Sequence, residues 1–341
     1  MNISTISNTT QLANFLRCDV GFLNSFLEGN YYILDYRQNV DLPPLNLEKT
    51  TIIEKLYLKK KGNSSKTYRE VYSVRTDTLK DILKIISSFL KESQHPSTAV
   101  HGYVQGLNIR TNAEMHLSKR YLLSVDISNF FESITIDMVE KALLKVGFSI
   151  FSAGRLSKIV TINNFLPPGY STSPAISNLV LKNLDEELLQ LCNKDCVYTR
   201  YADDLYFSSN IDLPSLKDIT EIVLNNGFSL NPKKTKYMPR GGKQYVTGLT
   251  VFDQTRPRIT KKIKRNIRLE LHYLKLYGFR GHALRKLRYS TQQYENETNI
   301  KLVVDLEIKT IQNRITGWLR FMNSVERPAA QKFFTQYNEV S

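Results

Sequence analysis

Residues 197–208, Val-Tyr-Thr-Arg-Tyr-Ala-Asp-Asp-Leu-Tyr-Phe-Ser, constrain this chain more than any other stretch, because they fit two short strands joined by a tight turn. Val197, Thr199 and Tyr201 alternate with Tyr198 and Arg200, and Leu205 and Phe207 alternate with Tyr206 and Ser208, the period-two pattern of paired strands. The turn carries Asp203 and Asp204. Neighbouring carboxylates repel, and each disfavours ionisation of the other, so such a tip is either well solvated or arranged around a cation. Mg²⁺ suits the second case, because it takes few protein carboxylates and leaves octahedral positions for water and substrate phosphates. On this stretch alone both readings stand.

Another carboxylate bears on the choice. Tyr121-Leu-Leu-Ser-Val-Asp126-Ile reads as a mostly apolar strand interrupted by Asp126. A charge at the end of a buried strand needs a partner, since burying it alone is prohibitive. From 121 to 252 the order is strand, a helix from near Thr135, a long helix opened by the turn within 166–190, the hairpin, a helix near 214–226 ended by Gly227, and a strand over 244–252. That order predicts an α+β sheet with helices on one face. Asp126, Asp203 and Asp204 then come from neighbouring strands, as a two-metal phosphoryl-transfer site requires.

The flanking segments read more simply. Residues 1–50 form a small helical lead-in, with Leu12, Phe15, Leu16, Phe22, Leu23, Phe26 and Leu27 at amphipathic spacing and Tyr31 and Tyr32 as packing residues. Residues 51–74 predict a hairpin whose tip, 59–66, is basic, followed by a helix capped at Asp77. Residues 99–118 are rich in glycine and polar groups and predict loop. Thr260 can cap a helix that Gly278 can end, and 291–341 is largely helical, with Trp318 in its core.

Charge points to the partner. The 341 residues hold 47 Lys and Arg against 32 Asp and Glu, a net charge of +15. Twelve of those cations fall within 255–289, opposed only by Glu270. A surplus so concentrated favours a polyanion, through phosphate contacts and counterion release, over a generally basic surface. The three cysteines, Cys18, Cys192 and Cys196, form no disulfide framework, and Cys192 and Cys196 lack a second zinc-spaced pair, so both read as packing residues. The amino terminus has no basic region followed by an apolar run, and no stretch approaches the roughly 18 apolar residues of a membrane span. A cytoplasmic protein with no membrane partner is expected.

Taken in order, these motifs make the chain resemble a reverse transcriptase of the bacterial retron type, over roughly residues 51–330. Tyr201-Ala-Asp203-Asp204 matches the catalytic motif and Asp126 its first aspartate. Leu166-Pro-x-Gly169-x-x-x-Ser173-Pro174 and Phe228-Ser-Leu-Asn231-x-x-Lys234-Thr235 match further family motifs. Asn112-Ala113-x-x-His116 and Val246-Thr247-Gly248 match the retron branch. The resemblance implies a right-hand polymerase fold: fingers and palm with an antiparallel sheet over 51–252, and a basic, RNA-binding helical thumb over 253–341.

It also implies the chemistry. Asp126, Asp203 and Asp204 would be catalytic and, with the Ile127 carbonyl, would hold two Mg²⁺ ions. Lys66, Arg69, Phe131, Gly169 and Lys234 would bind the deoxynucleoside triphosphate, with Phe131 as a gate against the ribose 2′-hydroxyl unless it is a core residue beside Phe130. Lys261, Lys262, Lys264, Arg265 and Arg268 would bind RNA, joined by Thr247 and Gly248. Asn112 and His116 would serve either RNA contact or structure. A structured non-coding RNA would act as primer and template for a branched, RNA-linked DNA, in anti-phage defence and with a possible effector protein encoded nearby. Pro168 departs from the pattern, since many family members have glutamine there. Another small bacterial reverse transcriptase, or a non-catalytic RNA-binding scaffold of polymerase shape, is the alternative.

Overall fold

A computed structural model describes residues 3–35, 51–59, 68–93 and 96–340. Two compact units emerge, one formed by 1–108 with 123–237 and the other by 109–122 with 238–341. Each is discontinuous in sequence.

The first unit begins with helices α1 (Thr9–Leu16) and α2 (Val20–Leu27), each started by a side chain that accepts a backbone N–H: Asn8 from Gln11, and Asp19 from Phe22. The lead-in is not wholly helical, because strand β1 (Tyr31–Asp35) follows and pairs in parallel with β2 (Thr51–Lys59). Tyr31 stacks on Phe26 at 5.0 Å, the packing role expected of it. β2 pairs antiparallel with β3 (Tyr68–Val74), as the sequence predicts. Most of the basic tip between them, Lys66 included, lies outside the described residues. Helix α3 (Asp77–Ser93) buries Leu79, Ile82, Leu83, Ile86 and Leu90 on one face, each contributing about 1.5–3 kcal/mol of transfer free energy.

Residues 99–118 are largely loop, as expected, with one short helix, α4 (Ile109–Glu114), inside them. Strand β4 (Tyr121–Asp126) ends on the predicted aspartate. Helix α5 (Ile136–Val146) starts at the Thr135 cap, and α6 (Ile150–Val160) follows. The long helix expected after residue 166 is two helices, α7 (Ser173–Val180) and α8 (Lys182–Leu191), broken at Leu181, whose φ and ψ are −83° and 3°. Strands β5 (Val197–Tyr201) and β6 (Asp204–Ser209) form the predicted antiparallel hairpin. Helix α9 (Leu216–Asn225) precedes β7 (Lys236–Pro239), and the strand order in this sheet is β5-β6-β4-β7.

The expected alternation along the hairpin does not hold. Tyr198, Thr199 and Arg200 are all buried, as are Leu205 through Ser209, so these strands are covered on both faces and not on one. Leu205 and Phe207 join Val125, Ile176, Leu184, Ile219 and Val223 in the core. Cys192 and Cys196 form no disulfide and pack against the same core.

In the second unit, the predicted strand over 244–252 is a minimal hairpin of β8 (Tyr245–Val246) and β9 (Leu249–Thr250). Thr247 and Gly248 are its turn, with φ of 47° and 81°. Successive left-handed residues make the tight turn that reverses a short ribbon. Thr247 Oγ1 donates to the Ile109 carbonyl at 2.8 Å, and Gln244 Nε2 donates to the carbonyls of Lys119 and Met238 at 3.1 and 2.9 Å. Ser118 N–H donates to the Val251 carbonyl at 2.9 Å. These bonds stitch 109–122 to 238–252, which is why residues 238–252 group with the carboxy-terminal helices.

Helix α10 (Lys261–Leu287) starts at the Thr260 cap, and Gly278, non-helical at φ 64° and ψ 177°, ends its first run as predicted, a second run continuing beyond the kink to Leu287. Helices α11 (Thr291–Asn296), α12 (Thr298–Val325) and α13 (Arg327–Asn338) complete the unit, with Ile267, Leu271, Ile311, Ile315, Leu319 and Phe333 buried. Trp318 is not core: it is 38% exposed, with Phe321 packed edge-on at 5.7 Å. Among the described residues no helix is long and apolar enough to cross a membrane.

Candidate active site

The site is built where β4 ends beside the β5–β6 turn. In the hairpin register Tyr201 faces Asp204, which leaves Ala202 and Asp203 as the turn itself. Ala202 has φ 57°, a left-handed conformation that costs a non-glycine residue on the order of 1–3 kcal/mol and persists only when its surroundings enforce it. They do so here through the backbone. Ile127 N–H donates to the Asp203 carbonyl at 2.9 Å, Asn231 N–H to the Asp126 carbonyl at 2.8 Å, and Ser128 N–H to the Ser229 carbonyl at 2.8 Å. The strand end, the turn and the 228–235 segment are thereby fixed to one another.

Electrostatics concentrate at this junction. Asp126 is 3% exposed, and its Oδ2 accepts from Lys234 Nζ at 2.7 Å. Burial raises the pKa of Asp203, and the Asp126 charge raises it further, while a backbone hydrogen bond, Lys234 and Arg69 oppose the rise. Burial, then the charges of Asp203 and Asp126, push Asp204 up to about 6. Burial disfavours the charge on Lys234, but its hydrogen bond to Asp126 and the fields of all three aspartates more than offset it and raise its pKa. Three carboxylates thus feel one another's charge, and the lysine answers only part of it.

This deficit of positive charge is what a divalent cation would supply, and carboxylate and carbonyl oxygens are the donors Mg²⁺ prefers. Among the described residues no group of three or more His, Cys, Asp and Glu side chains is gathered closely enough to hold a metal ion. The donor chemistry of Asp126, Asp203, Asp204 and the Ile127 carbonyl nonetheless suits Mg²⁺.

The nucleotide residues divide. Arg69 is exposed on β3, and its charge reaches Asp203. Phe131 is 7% exposed, packed edge-on against Phe130 at 5.0 Å and 6.5 Å from the ring of Tyr103. Gly169, at φ 108°, approaches β3 so closely that a Cβ would lie 2.3 Å from the Tyr72 carbonyl oxygen. The neighbouring Pro168 carbonyl accepts Tyr72 N–H at 2.7 Å, and the hydroxyls of Ser173 and Ser87 donate to the Pro167 and Ser171 carbonyls at 2.6 and 2.8 Å, so backbone and side chains both hold this loop.

The RNA set needs correction. Lys261, Lys262, Arg265 and Arg268 are exposed on α10. Lys264 is not available in the same way, because its ammonium lies 2.7 Å from the buried Glu326, which also pairs with Arg258 at 3.1 Å. Asn112 and His116 are fully buried, so they pack the second unit and present no surface to RNA. Thr247 and Gly248 act as the hairpin turn described above.

Sequence reasoning missed what supports the hairpin. Arg200 is fully buried, with Nε and Nη2 donating to the two carboxylate oxygens of Asp185 at 2.8 and 2.7 Å and Nη1 to Asn178 Oδ1 at 3.0 Å. Tyr198 Oη donates to the same Asp185 at 2.8 Å. Asn178 Nδ2 in turn donates to the Gly102 carbonyl at 3.0 Å. An arginine in an apolar strand was the available signal, since a buried guanidinium demands a carboxylate.

Comparison with known proteins agrees with the geometry. The profile of the family Reverse transcriptase (RNA-dependent DNA polymerase) matches residues 58–274, more than half of the chain. The retron Ec83 reverse transcriptase of Escherichia coli is 34% identical over 209 residues, covering 56% of this chain and 67% of that protein. The retron Mx65 reverse transcriptase of Myxococcus xanthus is 32% identical over 221 residues, covering 56% and 52%. The retron Ec86 reverse transcriptase of Escherichia coli is 28% identical over 214 residues, covering 60% and 63%. The chain thus spans between 52% and 67% of the length of these relatives. The chain belongs to the reverse transcriptase (RNA-dependent DNA polymerase) family, in its bacterial retron branch.

Proposed function

We infer that this chain is an RNA-directed DNA polymerase, and that it copies a structured non-coding RNA, serving as both primer and template, into a branched, RNA-linked single-stranded DNA. The observation that carries the reading is the junction of Asp126, Asp203 and Asp204 in one mutually felt field, with Lys234 and Arg69 as its nearest cationic counterparts. On this reading β1–β3 and α3 are fingers, the β5-β6-β4-β7 sheet is the palm, and the helices of the second unit are the thumb.

Two Mg²⁺ ions, when bound, would lower the pKa of the attacking hydroxyl and neutralise the leaving pyrophosphate. The chain's own groups do the positioning. Asp126, Asp203, Asp204 and the Ile127 carbonyl hold the ions. Arg69 offers a planar fork to triphosphate oxygens, which it binds bidentately. Lys234 gives up its bond to Asp126 to meet phosphate charge near the leaving group. Phe131 closes the sugar side against a 2′-hydroxyl, and Gly169 lets backbone approach the nucleotide. Lys261, Lys262, Arg265 and Arg268 hold RNA phosphates. The protein works in the cytoplasm with its transcript, in anti-phage defence, with an effector protein encoded nearby as a further partner.

The test is to purify the protein with its nucleic acid from its native host and treat the nucleic acid with RNase and a debranching enzyme. A small DNA that shifts in size after both treatments, and is absent in Asp203→Ala, is expected. Bound RNA without DNA would leave an RNA-binding scaffold, and DNA without an RNA link would move the chain to another polymerase branch.

A further inference from the structure

Segment 99–103 is fastened to the catalytic hairpin by an unusual number of devices. Arg200 N–H donates to the Ala99 carbonyl at 2.8 Å, and His101 N–H donates to the Arg200 carbonyl at 2.9 Å. Gly102 lies so close to the turn that a Cβ would meet Ala202 N at 2.4 Å, and only glycine fits there. The Gly102 carbonyl is held by Asn178, itself held by the buried Arg200–Asp185 pair. Beyond this anchored glycine the chain presents Tyr103 at φ 64°, a conformation that bulky residues seldom adopt.

Tyr103 does not use that strained position to pack. Its neighbours His101 and Gly102 are buried, but Tyr103 is 41% exposed. Its ring lies 6.5 Å from Phe131 at an interplanar angle of 38°. Burial, then the charge of Asp203, raise the pKa of its phenol, while Arg69 lowers it, so the group stands among the catalytic aspartate, the triphosphate arginine and the gate. An exposed aromatic in a strained backbone, following a glycine packed on the Ala202 turn and set against the Phe131 ring, needs a ligand to justify it.

We propose that Tyr103 is a second specificity residue of the nucleotide pocket, facing Phe131 and contacting the sugar of the incoming deoxynucleotide. The assignment rests on the polymerase reading above. Its ring and that of Phe131, 6.5 Å apart, leave no room for a sugar between them and form one aromatic face against which the sugar packs, and Arg200, Asp185 and Asn178 act as positioning residues for Tyr103.

The test uses the full-length protein with a poly(rA)–oligo(dT) template–primer and compares dTTP with UTP. In Tyr103→Ala the KM for dTTP is expected to rise about three- to tenfold, the size of one lost aromatic contact, with a smaller change in kcat. The preference for dTTP over UTP falls with it, and Tyr103→Phe, which restores the ring, regains most of that preference. Melting temperature and template–primer affinity stay at wild-type values, which a purely structural role for the ring would not allow. If KM and the dTTP/UTP ratio in Tyr103→Ala both stay within about twofold of wild type, the proposal is overturned. Should Tyr103→Ala fail to fold, Tyr103→Asn keeps the question open to measurement, because asparagine tolerates the left-handed backbone. Should the wild type incorporate no nucleotide, the polymerase reading fails first. Calorimetric binding of Mg²⁺-dTTP then decides the pocket: weaker binding in the variant supports it, and equal or absent binding sinks it.

Discussion

Asp203 and Asp204 show how much of a site one dipeptide can announce. Their turn was legible because strand alternation and an acidic tip are local facts, read within a dozen residues. The cation that answers Asp126 was legible only as a motif match, since Lys234 approaches through folding and not through spacing. Lys264 is the opposite lesson: among five basic residues of one helix, the sequence does not say which is consumed by Glu326. A further residue carries a pH signature. Hydrogen bonds from Thr255 and Arg258 hold the Asp253 carboxyl well below its ordinary 3.8. A depressed folded-state pKa stabilises above the unfolded value and is lost as pH falls through the folded one. The second unit is therefore expected to lose stability as pH drops below about 4, and Asp253→Asn to flatten that acid limb in urea melts at stepped pH.

At the scale of elements, the β5–β6 hairpin stands on a buried ion pair. Asp185→Ala strands the Arg200 guanidinium without its carboxylate, and breaking such a pair is expected to cost about 3–5 kcal/mol, read from denaturant unfolding. A shift below about 1 kcal/mol would show that Asn178 and the Ala202 carbonyl suffice for the guanidinium. This pair was illegible because its halves lie on a strand and on a helix broken at Leu181, where sequence periodicity showed one unbroken run. Helix α10 offers a second contrast. Reversing Lys261, Lys262 and Arg265 together is expected to weaken RNA binding and to reduce the slope of log affinity against log salt by about two to three. Lys264→Gln should instead lower the melting temperature while leaving the slope nearly intact. Equal effects on slope from both changes would return Lys264 to the RNA face.

For the whole molecule, the sequence order of elements was legible and their grouping was not. Period and capping signals placed α3, α5, α9, α10 and the central hairpin, because each is decided within its own segment. The division at Met238 escaped because Gln244, Thr247 and Val251 find their partners in residues 109–122, far back along the chain. A fragment of residues 238–341 expressed alone is therefore expected to be poorly folded by circular dichroism, and a peptide of 109–122 to restore part of its cooperativity. A fragment that melts cooperatively without the peptide would show that the helices carry the unit.

The same stitching has a consequence for the ribosome. Domains tend to fold as they emerge, amino-terminal parts first. The first unit has all its residues once Tyr237 is made, but residues 109–122 must then wait in the open for a partner not yet synthesised. During that interval Asn112 and His116, fully buried in the finished protein, face solvent. A nascent chain thus has every residue of its first unit before its second unit can begin to close.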